Sequence, residues 1–479
     1  RKMKHLKLYH LIALIYILPI LLGNYNYIDD LNRMHLGYGW DGDGRFAATW
    51  AMQFLSGGFY ITDIYPYSLI ISSLILVYSA SIVSEMLDIP KNIRVFTNLF
   101  FLVSPYTIES LSYRFDSIPM SLSVLLATIP FLYIEKRTTF FFVSLISLNL
   151  CLLTYQSNFF IYPIILICYL FNSILTNKSV CRNDVRITLY SIIAFLISYI
   201  LYKVEISTFS ANLNGRDETI MNGDFLFNAK INIERTYVFL ISPLLTLSFL
   251  AYFAPTVVIS IVSLHKLLYC KIKPLKSLAI FIILMLLIFI SVLIASTPNI
   301  ILLKPWFSVR TAVPFGCLLF FFAIITKLEN KNILYACYSI AFVYLFSMMA
   351  AFADGFKYQE NMRKNITAYF GGEILKHPEA KLVINGVMPN SNVFNSVTSK
   401  FPLLKRVIPN YMDNNWNWGV GYFRVNDIVS GKAYPSNALR KKMISNICLS
   451  DSVIENEQAT LRYSSFDNAF LLDFKKTKC

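Results

Sequence analysis

Charge is what this sequence has least of. Only 15% of its 479 residues are Asp, Glu, Lys or Arg, against about a quarter in soluble domains. Hydrophobic residues make up 56% and the mean hydropathy is +0.53, which excludes a soluble globular chain and leaves a polytopic membrane protein. Metal-ligand patterns are missing as well. The eight cysteines show no CxxC and no His/Cys spacing, so the sequence makes no case for a metal site. Cys151, Cys168, Cys317 and Cys337 fall in apolar stretches, where cysteine behaves as a small hydrophobe. Cys448 and Cys479 share a polar tail and would pair only in an oxidising compartment. Repeats and low-complexity segments are absent. The basic start RKMKHLK and apolar 8–22 imitate a signal peptide, but no small-residue cleavage site follows and further apolar stretches do. That start therefore reads as a first membrane helix. The net charge of +15 does not indicate nucleic acid, because the basic residues lie in short loops between apolar stretches, where they set topology.

What is abundant is apolar length and aromatic rings, with 39 Phe and 30 Tyr. Hydropathy over a window of about 19 residues places spans at 8–23, 64–84, 93–108, 118–134, 138–154, 158–176, 187–206, 236–264, 277–296, 311–326 and 333–353. This is an α-helical membrane protein of about eleven transmembrane helices. The 236–264 stretch is longer than one span needs, and Pro243 and Pro255 suggest a kink. Two spans there would reverse the side of everything that follows. Lys and Arg divide about seventeen to about eight between the two sets of loops, and the richer side is the cytoplasmic one. That puts the N-terminus inside and loops 24–63, 109–117, 155–157, 207–235 and 297–310 outside. The expected organisation is a transmembrane domain over 1–353 and a small soluble α/β domain over 354–479, also outside. Within the tail, 359–375 reads as helix, and AKLVINGV (380–387) and 468–474 read as strands.

Against this apolar background, YIDDLNRMHLGYGWDGDGRFAATWAMQ (27–53) concentrates Asp29, Asp30, Asp41, Asp43, Arg33 and Arg45. Ionisable groups at a membrane surface cost desolvation, so a dense cluster of them marks a site. An isolated Asp-Asp pair more often caps a helix, but a carboxylate half-desolvated beside another acid is also suited to act as a general base. The glycines of WDGDGR permit close backbone approach to a ligand. Its alternating Asp and Gly imitate a calcium loop without the EF-hand spacing or closing Glu. Arg114 and Asp116, in YRFDSIPM, form a second outer pair. Arg310, in KPWFSVR, lies at an outer helix end near Lys304. Outer arginines run against the charge bias and call for an anion, of which a lipid phosphate is the natural one; the alternative is snorkelling to the interface. Tyr155, Gln156 and Asn158, in LTYQSNFF, supply neutral donors at the same depth or cap helices. Trp416 and Trp418 either stack on sugar rings or pack together. The spans are clean of charge in their centres, which disfavours a transporter or flippase.

YIDDLNR, YGWDGDGR, RFDS and TYQS resemble the Gtr-type serotype-converting O-antigen glucosyltransferases of Gram-negative bacteria and their phages. These belong among the GT-C membrane glycosyltransferases. The resemblance is firmest over the first 160 or so residues and continues beyond as hydropathy and topology. It implies a bacterial inner-membrane enzyme that transfers a sugar, usually glucose, from undecaprenyl phosphate to the O-antigen of lipopolysaccharide in the periplasm, with inversion. It leaves open related enzymes that use the same donors, such as polymerases, ligases and protein glycosyltransferases. Carried onto this chain, the catalytic carboxylates would be Asp30, Asp29 and Asp116. The substrate-binding set would be Asp41, Asp43, Arg45, Arg33, Trp40, Arg114, Tyr155, Gln156, Arg310 and Lys304. No cofactor beyond the lipid-phosphate-sugar donor is implied, and no ligand spacing demands a divalent ion.

Overall fold

The computed structural model describes residues 2–209, 213, 218–222, 224–269, 274–413 and 417–479, with side chains from residue 8. The chain forms two compact units, Arg1–Leu22 with Gly39–Ala350 and Gly23–Tyr38 with Ala351–Cys479. The 24–63 stretch, continuous in sequence, is divided between them.

Seven helices among the described residues are long and apolar enough to cross a membrane, six of them within the first unit and the seventh running past Ala350 into residues of the second. They are Tyr67–Met86, Gln156–Asn177, Arg182–Thr208, Leu247–Tyr269, Pro274–Ile300, Val309–Thr326 and Lys331–Ile374, and Leu8–Gly23, Ser117–Tyr133 and Arg137–Leu152 are shorter apolar helices. Each overlaps an expected span. Leu278, Ile282, Leu286, Phe289 and Leu293 of Pro274–Ile300 stand exposed, an apolar face suited to lipid rather than water. The buried faces are rich in serine. Ser72, Ser121 and Ser198 return their hydroxyls to the carbonyls of Ser68, Ser117 and Ala194 at 2.7–2.8 Å. Each small polar group is thus satisfied within its own helix, as a membrane interior requires, and leaves room for a neighbouring helix to approach.

Two expected spans differ. Residues 93–108 do not form one helix; they break into Arg94–Thr97, Phe100–Val103, Pro105–Thr107 and Ile108–Ser112. Pro105 causes the break at Ser104: it disfavours the helical region for the residue before it, and Ser104 is extended at φ −54°, ψ 131°. The break is tolerated because Phe100–Val103 are buried in protein, and the Thr107 hydroxyl donates to the Phe101 carbonyl at 2.7 Å. Within 236–264, helix Phe225–Thr236 ends in a π turn, Tyr237–Ile241. The turn residues around Pro243 separate it from Leu247–Tyr269, where Pro255 is accommodated inside the helix. Only Leu247–Tyr269 of this stretch is long and apolar enough to cross.

The second unit carries a four-stranded sheet, β1 (Lys381–Asn385), β2 (Asp451–Glu455), β3 (Thr460–Ser464) and β4 (Ala469–Asp473), in the order β1-β4-β3-β2. β1 runs parallel to β4, and the other neighbours are antiparallel. β1 and β4 fall where the sequence predicts strands; β2 and β3 are additional. Val383, Met443, Ile447, Ala469 and Leu471 form a core on the sheet. Asp473, fully buried, accepts hydrogen bonds from Asn385 Nδ2 and the backbone of Lys475 and Thr477. Residues 23–38 are bound into this unit: Tyr27 Oη donates to the Val407 carbonyl at 2.5 Å and Tyr434 Oη to Asn32 Oδ1 at 2.7 Å. Cys448 and Cys479 are joined in a disulfide across 31 residues. Cys448→Ser should lower the stability of this unit by about 2–4 kcal/mol, seen as a lower denaturant midpoint. Reductant should shift the wild type equally and the variant no further.

Candidate functional site

Three of the four motifs meet in the first unit. Trp40, buried, donates its indole Nε1–H to Asp116 Oδ1 at 2.7 Å, which ties WDGDGR to RFDS. Asp116 occupies the N-cap position of Ser117–Thr128 but makes no side-chain cap bond, so its carboxylate serves the indole rather than the helix. The turn Asp41–Asp43 follows. Thr49 Oγ1 accepts from the Trp40 amide at 2.8 Å and donates to Asp41 Oδ2 at 3.1 Å. Gly44 then takes φ +69°, and an added Cβ would sit 3.1 Å from Tyr202 Oη. Both conformation and space call for glycine there.

TYQS closes on the same loop. Arg45 Nε donates to Gln156 Oε1 at 2.9 Å, and Gln156 Nε2 donates to the Asp43 carbonyl at 2.9 Å and to Tyr202 Oη at 2.7 Å. The Arg45 guanidinium lies over the Tyr155 ring, 4.8 Å from its centroid. Arg45 is thus held by a neutral amide and an aromatic face; among the described residues no carboxylate pairs with it. Half-buried and unbalanced, its charge is available to an anion.

The other two outer arginines differ. Arg114 is paired with Asp63, with Nη2 at 2.6 Å and Nε at 2.7 Å from Oδ2, and stacks on Tyr65 at 4.2 Å. Arg310 stacks on Tyr113 at 4.8 Å and lies 3.8 Å from Glu109. Glu109 is a buried carboxylate that sequence reasoning missed. It accepts from Ser308 Oγ at 2.7 Å and from the Arg310 amide at 2.9 Å. Its signal was a lone acid at the edge of an apolar stretch, close before Arg114. Burial pushes the Tyr155 phenol upward in pKa, opposed by Arg310 and Arg45 and reinforced by Glu109. Both arginines therefore act on one buried ring. Burial also raises Tyr65, against the pull of Arg114.

Several other predicted residues lie apart from this cluster. Asn158 turns away, donating to the Met120 carbonyl and Ser123 Oγ. Lys304 is exposed in the connection before Val309–Leu318. Trp416 lies outside the described residues, and Trp418 opens the helix Trp418–Val425.

Asp29, Asp30 and Arg33 belong to the second unit. Asp30 is fully buried and accepts from the Tyr27 amide at 3.0 Å. Asp29 is half-buried at the N-cap of Asp30–Leu36 and makes no side-chain cap bond. Arg33, buried, donates Nε to the Tyr38 carbonyl at 3.2 Å and stacks on the Tyr38 ring at 4.8 Å. Burial and Arg424 lower the pKa of His35. Among the described residues no group of three or more His, Cys, Asp or Glu is arranged to hold a metal ion.

Seven helices among the described residues long and apolar enough to cross a membrane, with the motif residues at their ends and in the connections between them, define a polytopic membrane protein. The family model for glucosyl transferase GtrII matches residues 18–321, more than half of the chain, and the protein belongs to that family. It is 28% identical over 194 residues to an uncharacterized 55.3 kDa protein encoded in the gtrB 5' region of Salmonella phage P22, a match covering 40% of each chain. No solved structure matches.

The Trp40–Asp116 bond generates a stability prediction. Trp40→Phe removes the indole donor from the buried Asp116 carboxylate and should cost about 2 kcal/mol, read from thermal unfolding. Asp116→Asn keeps an acceptor for the indole and should cost less.

Proposed function

We propose that this chain is an inner-membrane glycosyltransferase that moves a single sugar, glucose, from undecaprenyl phosphate to the O-antigen of lipopolysaccharide on the periplasmic side. Membership in a glucosyl transferase family supports sugar transfer. The uneven loop charge supports the orientation, with the N-terminus cytoplasmic. The observation that supports a lipid-phosphate donor is Arg45, a half-buried guanidinium held by Gln156 and Tyr155, with which no carboxylate among the described residues pairs.

The mechanism follows from the chemistry of the donor. Phosphate leaves readily, so the enzyme needs cations to receive the charge that develops on it and a base to deprotonate the acceptor hydroxyl. Arg45 holds the phosphate, with Arg310, whose pairing with Glu109 is long at 3.8 Å, as the second cation; Arg114 is held closely by Asp63 at 2.6 Å. Asp41, Asp43 and Asp116 orient the sugars. Of the acidic pair, Asp29 is the base, because Asp30 is fully buried and its carboxylate is spent on the Tyr27 amide. Direct displacement inverts the anomeric centre.

The test is transfer by the purified protein from undecaprenyl-phosphate-glucose to matching lipopolysaccharide, with mass spectrometry reading a single added hexose. Asp29→Asn should lower kcat by about 10²–10⁴-fold while the protein stays folded, and Asp30→Asn should chiefly lower stability. Near-normal transfer by Asp29→Asn would sink the base assignment. Arg45→Ala should raise the donor KM; an unchanged KM would remove Arg45 from the donor site.

A further inference from the structure

The segment that precedes Asp29 is held in a conformation its sequence does not favour. Ile28 has φ +45°, in the left-handed region that a β-branched residue adopts only when its surroundings impose it. Asn24, with φ +49°, is a residue type that enters this region readily; Ile28 is not. What imposes it is Tyr411, which comes from the far end of the sequence within the same unit. Tyr411 Oη donates to the Asn26 carbonyl at 2.6 Å and accepts from the Ile28 amide at 3.3 Å, so one hydroxyl grips the backbone on both sides of Tyr27. Tyr27 in turn is fastened through its own hydroxyl to the Val407 carbonyl.

The clamp is itself rigid. Tyr411 is completely buried, and its ring lies 4.2 Å from the guanidinium of Arg363. Arg363, also completely buried, pairs with Glu360 at 2.8 Å and donates to the Pro409 carbonyl at 3.0 Å. Tyr422 stacks near Tyr411 and donates its hydroxyl to Glu360 at 2.6 Å. Burial raises the Tyr411 phenol far above its ordinary pKa, so the hydroxyl keeps its proton and remains a donor at any working pH.

We infer that Tyr411 is a positioning residue for sugar transfer: by holding Ile28 in the left-handed conformation it sets the direction of the Asp29 carboxylate. Residues 351–479 thereby acquire a role, that of a template for the segment carrying the base. A packing role alone would be served by any chain path through residues 24–30. A strained β-branched residue directly before the Asp29 carboxylate, its amide held by the same hydroxyl that binds the Asn26 carbonyl, is what orientation requires.

The inference rests on Asp29 as the base, and the experiment separates the two. kcat and donor KM for hexose transfer are measured on the full-length protein for Tyr411→Phe, for Tyr411→Phe combined with Ile28→Asn, and for Asp29→Asn, each normalised to folded protein by thermal unfolding. Tyr411→Phe should lower kcat by about 10–100-fold with the donor KM unchanged. Adding Ile28→Asn, which accepts positive φ without the clamp, should restore most of that loss. If Asp29→Asn is inactive and Tyr411→Phe keeps its kcat per folded molecule, or loses it with no rescue by asparagine, the positioning role is wrong and the base assignment stands. If Asp29→Asn is active, both fall together.

Discussion

The bond from the Trp40 indole to the Asp116 carboxylate is the constraint on which the polar part of the first unit depends. It joins residues 76 apart in sequence at 2.7 Å, and in a buried setting a charge-assisted bond of this kind is among the stronger ones a chain can make. From it the rest follows in order. Trp40 fixes the start of the Asp41–Asp43 turn, Gly44 turns the chain back, and Arg45 is delivered to Gln156 and Tyr155. Two arginines then bear on one buried tyrosine, each with its side chain laid on an aromatic face. Stacking of this kind holds a planar cation at a fixed angle while leaving its charge intact.

The second unit solves a different problem. Its Asp30 is fully buried and accepts from the Tyr27 amide, whereas Asp29, next to it, is half-buried and makes no side-chain cap bond to its own helix. Adjacent acids thus receive different environments, the difference on which the proposal of Asp29 as the base rests. The C-terminal residues contribute through Tyr411, Val407 and Tyr434, all of which hydrogen-bond to the 23–38 segment.

Much of this was legible in the sequence. Apolar runs located the helices because a membrane-spanning segment announces itself by length and composition. Three of the four motifs that the resemblance singled out converge, WDGDGR on RFDS through Trp40 and TYQS on WDGDGR through Arg45 and Asp43, while YIDDLNR belongs to the second unit. What stayed hidden has physical reasons. Which aspartate pairs with which donor is a matter of contacts far apart in sequence, so Trp40 was flagged without Asp116 as its partner. The division of 24–63 between two units was illegible because no change of composition marks Gly39. The break at Ser104 was overridden by apolar composition, although Pro105 carried the signal. β2 and β3 are short, and β2 is largely exposed, so neither shows the apolar run that gave away β1 and β4. Glu109 was passed over because a single acid at a helix edge is weak until Ser308 and Arg310 are brought to it.

Arg45 is proposed to receive the phosphate of the lipid-linked donor, and a structure of the protein in nanodiscs with undecaprenyl phosphate bound would show it. Phosphate density is expected within about 3 Å of the Arg45 guanidinium, with Arg310 turned toward the same group. Phosphate bound elsewhere, with Arg45 still engaged only by Gln156 and Tyr155, would contradict it.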